Sequence, residues 1–378
     1  MRVFVIAGEA SGDALGGALM QNLRTLQKDI EFDGVGGPLM QAQGLVSRFD
    51  MQELSVMGIA EVLPKYRHLK RRIAEMAEAV LAAQPDVLIT IDSPDFCLRV
   101  AKLVKAKSSI RTVHYVAPSV WAWRPKRAVK MAKCIDHVLA LLPFEPPYME
   151  AAGMACDFVG HPVVTEPIST NEDVDEFRKA HSIPVAAPII LVLPGSRRGE
   201  VQRLAPIFGQ AIDKYLQTEA PPTVVLIRAP SVAGLVDDVT QDWSVQPIMI
   251  SGDDLSEKRA AFKAAGVALA ASGTVALELA AAATPMVIGY NMNWLSFKLI
   301  RRAALIDRVN LVNIVTDTYH VPECLGPDCT PDRLAQELRN VLKDPNPQIK
   351  TMSQTMQALG AGGEAPGLRA AKAVLARM

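Results

Sequence analysis

The sequence predicts an α/β protein of two doubly wound domains, and three observations predict it. Short, near-continuous apolar runs recur along almost the whole chain, as strands buried on both faces of a parallel sheet do. Stretches with apolar residues at helical spacing lie between them, the alternation of strand and helix that builds a parallel sheet. The alternation pauses once, from Gly160 to Asp173, where Pro162, Pro167, Ser169, Thr170 and Asn171 have the chemistry of a linker.

The first half offers strands at Val3–Ala7, Asp86–Ile91, Arg111–Val116 and His137–Leu141. The second offers Ile189–Leu193, Thr223–Ile227, Val267–Ala271 and Pro285–Tyr290. After the first strand Leu15, Leu19, Leu23 and Leu26 recur at spacings of three and four, which places them on one helix face. The division expected is 1–164, 165–345 and a helical tail over 346–378, which packs either on the N-terminal domain or on a partner subunit. Two such domains face each other across a cleft, and ligands of open α/β sheets bind beyond the carboxyl ends of the strands. The chemistry is therefore expected in the loops that follow strands.

Composition removes several classes of function. The 378 residues carry 40 basic and 40 acidic side chains, and only 5% are aromatic, which argues against a nucleic-acid-binding surface. The five cysteines are odd in number and form no CxxC pair, so neither a disulfide framework nor a zinc site is expected. No cluster of metal ligands is apparent, and no metal or cofactor is expected. The most membrane-like stretch, Ala264 to Gly289, contains Ser272, Gly273, Thr274, Glu278 and Pro285, and a mid-span Glu makes it a poor bilayer helix. The N-terminus reads as a first strand rather than a signal peptide.

Five strand-end loops carry the chemistry. In GEASGD, Gly8 to Asp13, small residues let backbone N–H groups of a helix start approach an anion, with Ser11, Gly12 and Asp13 nearest the helix. A tight turn with Asp13 near a helix start is the plainer reading. In IDSPDF, Asp92 stands at the end of an apolar strand, where a carboxylate can accept a proton from a hydroxyl; Asp92 or Asp95 could instead cap the next helix. In HYVAPSVWAWRPKR, Trp121 and Trp123 lie beside Arg124, Lys126 and Arg127, a combination suited to sugar faces, phosphates or an acyl-chain boundary, or else to anchoring in the core.

The fourth loop is LPGSRRGEV. Gly195 turns the chain, and Ser196, Arg197 and the N–H groups of a helix start converge as a diphosphate site does. Arg197 would carry charge developing on a leaving nucleoside diphosphate; a surface salt bridge is the alternative. The fifth, ASGTVALELA, brings Ser272, Gly273 and Thr274 to a helix start and sets Glu278 among apolar residues. A carboxylate so placed needs a partner, either ribose hydroxyls or a nearby Arg.

Taken in order, GEASGD, SVMGIAEVL (55–63), IDSPDF, HYVAPSVWAWR, LPFE (142–145), VGHP (159–162), LPGSR and ASGTVALE resemble the motif series of the lipid A disaccharide synthases of Gram-negative bacteria. The resemblance implies two Rossmann-like domains of the GT-B type. It implies transfer of 2,3-diacylglucosamine from its UDP carrier to 2,3-diacylglucosamine 1-phosphate, forming a β-1,6 linkage with inversion and releasing UDP, at the cytoplasmic face of the inner membrane. Asp92 falls on the position of the general base. Arg197, Glu278 and Asn313 fall on positions that hold UDP, although Val312 stands where proline is expected before Asn313. Arg301 and Arg302 lie on a basic helix expected to face the diphosphate or the acceptor phosphate.

The resemblance also gives a role to the apolar and basic stretch that includes Val56, Met57, Leu63, Lys65, Arg67, Lys70 and Arg71, as a contact with the membrane surface; an ordinary helix with a solvated charged face is the alternative. It leaves a homodimer open. A dehydrogenase would need a GxGxxG turn after the first strand, which is absent. A UDP-sugar epimerase on the same plan would use the nucleotide loops but has no use for an apolar, basic surface. A regulator that only binds nucleotide would not need Asp92.

Overall fold

The computed structural model describes all residues except 55–58, 218 and 220, and all their side chains except those of 59–66, 294–296 and 300. The chain forms two compact units, Met1–Thr165 with Leu359–Met378, and Glu166–Ala358. The boundary lies within the linker-like stretch. The C-terminal segment does not behave as one tail: helix Asn346–Ala358 stays in the second unit, and the last twenty residues belong to the first.

The first unit holds β1 (Arg2–Ala7), β2 (Glu31–Val35), β3 (Val87–Ile91), β4 (Arg111–Tyr115), β5 (His137–Ala140) and β6 (Ala155–Phe158). They form one parallel sheet in the order β2-β1-β3-β4-β5-β6. Every residue of β3, and all of β1 but Arg2, is buried, as the apolar runs require. Val3 lies opposite Val87 and Ala7 opposite Ile91, so the two strands end level. Leu15, Leu19, Met20 and Leu23 seal the helix Ala10–Leu26 against the sheet, each burial contributing about 1.5–3 kcal/mol.

The C-terminal helix Pro366–Leu375 packs on that helix and adds Ala370, Ala371 and Val374 to the same core. A Cβ at Gly367 would lie 3.0 Å from that of Ala18, so glycine permits the close approach. Arg369 donates to the Phe158 carbonyl at 2.6 Å and Arg377 to the Asp157 carboxylate at 2.6 Å, tying the chain end to β6.

The second unit repeats the plan with β7 (Ile189–Leu193), β8 (Thr223–Arg228), β9 (Ile248–Ser251), β10 (Val267–Ala271), β11 (Met286–Tyr290) and β12 (Glu323–Leu325), again all parallel, in the order β12-β11-β10-β7-β8-β9. Helices Arg198–Leu216 and Pro331–Lys343 cover one face with Leu204, Phe208, Ile212, Leu334 and Leu338.

Each sheet has one point where the strand order reverses. In the first unit the chain runs from β1 to β2 on one side and returns to β3 on the other; in the second it runs β7, β8, β9 and returns to β10 beside β7. The loops after β1 and β3, and those after β7 and β10, diverge at these points and leave a crevice beyond the strand ends. Four of the five loops singled out in the sequence are these loops.

Candidate active site

In the second unit the loops after β7 and β10 enclose a cavity of ≈ 440 Å³. Gly195, Ser196, Arg197, Ser272, Gly273, Thr274 and Glu278 all line it. Gly195 turns the chain with φ +111, a conformation that favours glycine, and a Cβ there would stand 2.7 Å from the Glu200 carboxylate. The chain then extends through Arg197 and enters the helix Arg198–Leu216, whose first N–H groups head the cavity. Across from it, Gly273 has open space where a side chain would stand.

Two ion pairs occupy the walls. Arg197 Nη1 lies 2.9 Å from Glu200 Oε1, with the arginine side chain 65% exposed. The salt bridge weighed against a diphosphate role is therefore present, and an exposed pair of this kind is worth at most about 1 kcal/mol, little to set against a ligand diphosphate. Glu278 pairs with Lys258, not with an arginine. Lys258 lies outside every motif read from the sequence: it sits on helix Leu255–Ala264, and only the tertiary fold brings it to the cavity.

Asn313 lies elsewhere. It is buried, and its side-chain amide donates to the Val321 carbonyl and to Glu323 Oε1, each at 2.8 Å, while its Oδ1 accepts the Val321 N–H at 3.0 Å. An amide so engaged holds the chain at Val321 and Glu323, and the UDP contact expected of Asn313 stands beside this clamp as an expectation. Val312, where proline was expected, donates its N–H to Asn310 Oδ1 at 2.8 Å, a helix-capping bond that proline would lack. Asn313 and Arg301 line a separate cavity of ≈ 680 Å³, together with Tyr290, Phe297 and Arg308. Arg302 is not among the residues lining that cavity and lies with Arg301 at a surface hollow beside Pro327.

In the first unit Asp92 follows β3 directly. Its N–H donates to the Tyr115 carbonyl at 3.0 Å, so its backbone is held by β4. Asp92 and Ser93 both take left-handed conformations, with φ of 51 and 40, a strain of about 1–3 kcal/mol per residue that tends to mark functional turns. The Asp92 carboxyl is half-buried, and burial pushes it above the ordinary carboxylate range, against a backbone hydrogen bond from Ser93. Asp95 takes no such place: its side chain is 97% exposed and 4.0 Å from Arg127. Neither residue caps the helix Pro94–Lys105, because its cap position is Ser93, whose hydroxyl is buried without a partner among the described residues.

The GEASGD loop supports this turn. A Cβ at Gly8 would come within 2.8 Å of the Ser93 Cβ, so the loops after β1 and β3 touch only because residue 8 is glycine. Gly12 sits on the Ile91 carbonyl, where a Cβ would be 3.4 Å away. Ser11 is exposed in the first turn of its helix. The buried Asp13 carboxylate accepts the N–H groups of Gly37 and Leu39 at 2.9 Å and of Met40 at 3.0 Å. Asp13 thus clamps the loop after β2, as the plainer reading of a turn residue has it.

The two tryptophans part company. Trp121 is buried edge-on to Phe144, centroids 5.0 Å apart, and donates to Glu145 Oε1 at 3.2 Å, which makes it an anchor. Trp123 is 39% exposed under the Arg124 guanidinium, 4.1 Å from its ring centroid. Of the proposed membrane residues, Val56, Met57 and the side chains of Leu63 and Lys65 lie outside the described residues. Arg71 pairs with Glu75, whereas Arg67 and Lys70 are exposed. Among the described residues no helix is long and apolar enough to cross a membrane.

Two parallel-sheet α/β units, each with a switch-point crevice, define a doubly wound two-unit fold class. Solved structures share the fold. One is a UDP-GlcNAc 2-epimerase from Neisseria meningitidis bound to UDP-GlcNAc (TM-score 0.62, 12% identity, covering 100% of this chain and 99% of that one). Another is the glycosyltransferase of kitacinnamycin (TM-score 0.61, 14% identity, 100% and 99%). The particular family follows from sequence. Residues 3–375 match the family described as lipid-A-disaccharide synthetase. The lipid-A-disaccharide synthase of Ruegeria pomeroyi is 62% identical, covering 100% of this chain and 96% of that protein, and that of Rhodospirillum centenum is 48% identical, covering 99% and 94%. The chain belongs to the lipid-A-disaccharide synthetase family, a family of glycosyltransferases that form the lipid A disaccharide.

Proposed function

We propose that the chain transfers 2,3-diacylglucosamine from UDP-2,3-diacylglucosamine to the 6-hydroxyl of 2,3-diacylglucosamine 1-phosphate, with inversion, at the cytoplasmic surface of the inner membrane. One observation carries the reading: seven residues drawn from two separated sequence motifs line a single cavity at the switch point of the second sheet. Ser196, the N–H groups at the start of helix Arg198–Leu216 and the Ser272–Thr274 turn receive the diphosphate there. Arg197 leaves Glu200 to meet the negative charge that grows on the departing UDP. Glu278, already carrying Lys258, accepts the ribose hydroxyls.

Asp92 is the base. It takes the proton of the acceptor hydroxyl as that oxygen bonds to the anomeric carbon and the bond to the UDP oxygen breaks, the electron pair leaving with UDP. A raised carboxyl makes a better base provided it is ionised, so the acid limb of kcat/KM is expected above the ordinary carboxylate range.

The test is direct. Purified protein, donor and acceptor are combined in detergent micelles, and disaccharide and UDP are read by mass spectrometry. Disaccharide is expected only when both lipids are present; UDP release with one lipid alone, or an epimerised donor, would refute the reading. Asp92→Asn is expected to lose turnover by a factor of about 10²–10⁴ while calorimetry finds UDP bound as before. An active Asp92→Asn enzyme removes the base.

A further inference from the structure

The first sheet has a switch-point crevice of its own, between the ends of β1 and β3, with a cavity of ≈ 330 Å³ lined by residues of both GEASGD and IDSPDF. Ser93, next in the chain to Asp92, forms part of its wall, and its hydroxyl is one of four buried side-chain polar atoms without a hydrogen-bond partner among the described residues. Leu69, Ile73 and Phe96 make one side apolar. Lys70 and Arg99 stand at the same cavity, both exposed.

The cations here are available. On the helix Ile59–Ala83, Arg71 is paired with Glu75, and Arg72 with Glu53 and Glu75. Among the described residues Lys70 and Arg99 have no ion-pair partner within 4.0 Å. Two carboxylates also line the space. Asp95 points its charge to solvent and toward Arg127. Glu9 lines it from the cap position of helix Ala10–Leu26. The cavity therefore combines an apolar wall with two cations that have no ion-pair partner among the described residues, beside the turn that carries the proposed base.

We propose that this crevice holds the acceptor, with Lys70 and Arg99 gripping its phosphate and Leu69, Ile73 and Phe96 lying along the first part of an acyl chain. The proposal rests on the acceptor and base assignments made above and goes beyond them in naming the residues that select a phosphate-bearing sugar. A cavity near the small end of the range for ligand sites, about 300–1,000 Å³, takes a sugar phosphate and leaves the chain ends outside, as suits a lipid held at a surface. The 1-phosphate and the 6-hydroxymethyl group of a glucosamine are carried by the two carbons that flank the ring oxygen. A phosphate held in the cavity thus keeps the hydroxyl within one sugar's reach of the turn that carries Asp92. Lys70 on this reading serves substrate selection rather than membrane contact.

The test compares wild type, Lys70→Ala, Arg99→Ala and the double variant in nonionic micelles. Two acceptors are used, diacylglucosamine 1-phosphate and the same lipid with a free 1-hydroxyl. Each single variant is expected to raise KM for the phosphorylated acceptor about tenfold or more, the worth of one charge-assisted hydrogen bond, with donor KM and UDP affinity unchanged. The double variant is expected to lose the wild-type preference for the phosphorylated lipid, and Lys70→Arg to retain most of it. An active enzyme whose variants keep the preference, or lose both acceptors equally, overturns the proposal while leaving the reaction intact. Variants that lose only their binding to phosphatidylglycerol vesicles also overturn it, since the pair then serves the lipid surface. A wild type that makes no disaccharide from either acceptor sinks the underlying reading instead.

Discussion

Asp13 was expected beside a phosphate and is found holding three backbone N–H groups, so its replacement should damage stability and not binding. The bonds to Gly37 and Met40 are buried, and that to Leu39 is partly so. Asp13→Ala leaves two buried donors without acceptors. At about 1–3 kcal/mol for each, the expected loss is about 2–6 kcal/mol. Asp13→Asn keeps the oxygen that serves Gly37 and Met40 but sets an NH₂ against the Leu39 N–H, so its loss should be the smaller, about 1–3 kcal/mol. Denaturant titration measures the total, and hydrogen exchange of residues 36–42 locates it, since those amides should exchange faster in both variants. UDP affinity and acceptor KM should be unchanged where the variants remain folded. If both variants unfold at the wild-type midpoint while acceptor KM rises, the carboxylate acts on a ligand and the clamp assignment is wrong.

Gly8→Ala places a methyl group against Ser93 and so displaces the turn that carries Asp92; kcat should fall at least tenfold with UDP affinity intact, and a fully active variant would show that the turn has room to move. Arg197→Ala should weaken UDP binding about tenfold or more in calorimetry, whereas Glu200→Gln, which frees Arg197, should strengthen it a few-fold, in keeping with a pair worth at most about 1 kcal/mol; the reverse order would put the diphosphate elsewhere. Glu145 is pushed from 4.5 up to about 7 by burial, against the Leu142 N–H and Trp121 indole that it accepts. Its neutral form thus stabilises the first unit, in full below the ordinary carboxyl range, and this contribution, about 3 kcal/mol, is lost as pH rises through about 7. Glu145→Gln should flatten that decline between pH 5 and 8, and a wild-type stability profile parallel to the variant's would refute the shift.

The eight strands legible in the sequence are the inner strands of the two sheets, whose residues face helices on both sides and so must be apolar without interruption. The four that escaped are β2, β6, β9 and β12, the four sheet edges. They have a neighbour on one side only and mix buried positions with half-buried or exposed ones, as in Glu31–Val35 and Ile248–Ser251, so no apolar run announces them. The strand-end loops were legible for a related reason: Gly195 and the Ser272–Thr274 turn are local answers to a local demand, a sharp exit from a strand into a helix start.

What depends on the other end of a contact was not legible. Asp13 and Asn313 are polar residues in promising places, and the sequence determined only that each needed partners; the tertiary fold supplied backbone groups at residues 37–40 and 321. Glu278 likewise needed a cation, and the fold drew it from Lys258, twenty residues away in the chain. Lys70 and Arg99 come from two helices, and among the described residues neither has an ion-pair partner, whereas Arg71 and Arg72 beside Lys70 take Glu53 and Glu75. The sequence by itself determined the strands, the turns and the residues in which chemistry can reside, since apolar burial and backbone geometry act over a few residues. Which polar group is spent on the fold and which is left for a ligand was decided by the tertiary structure, because a hydrogen bond or an ion pair is settled by whichever partner comes within about 3 Å.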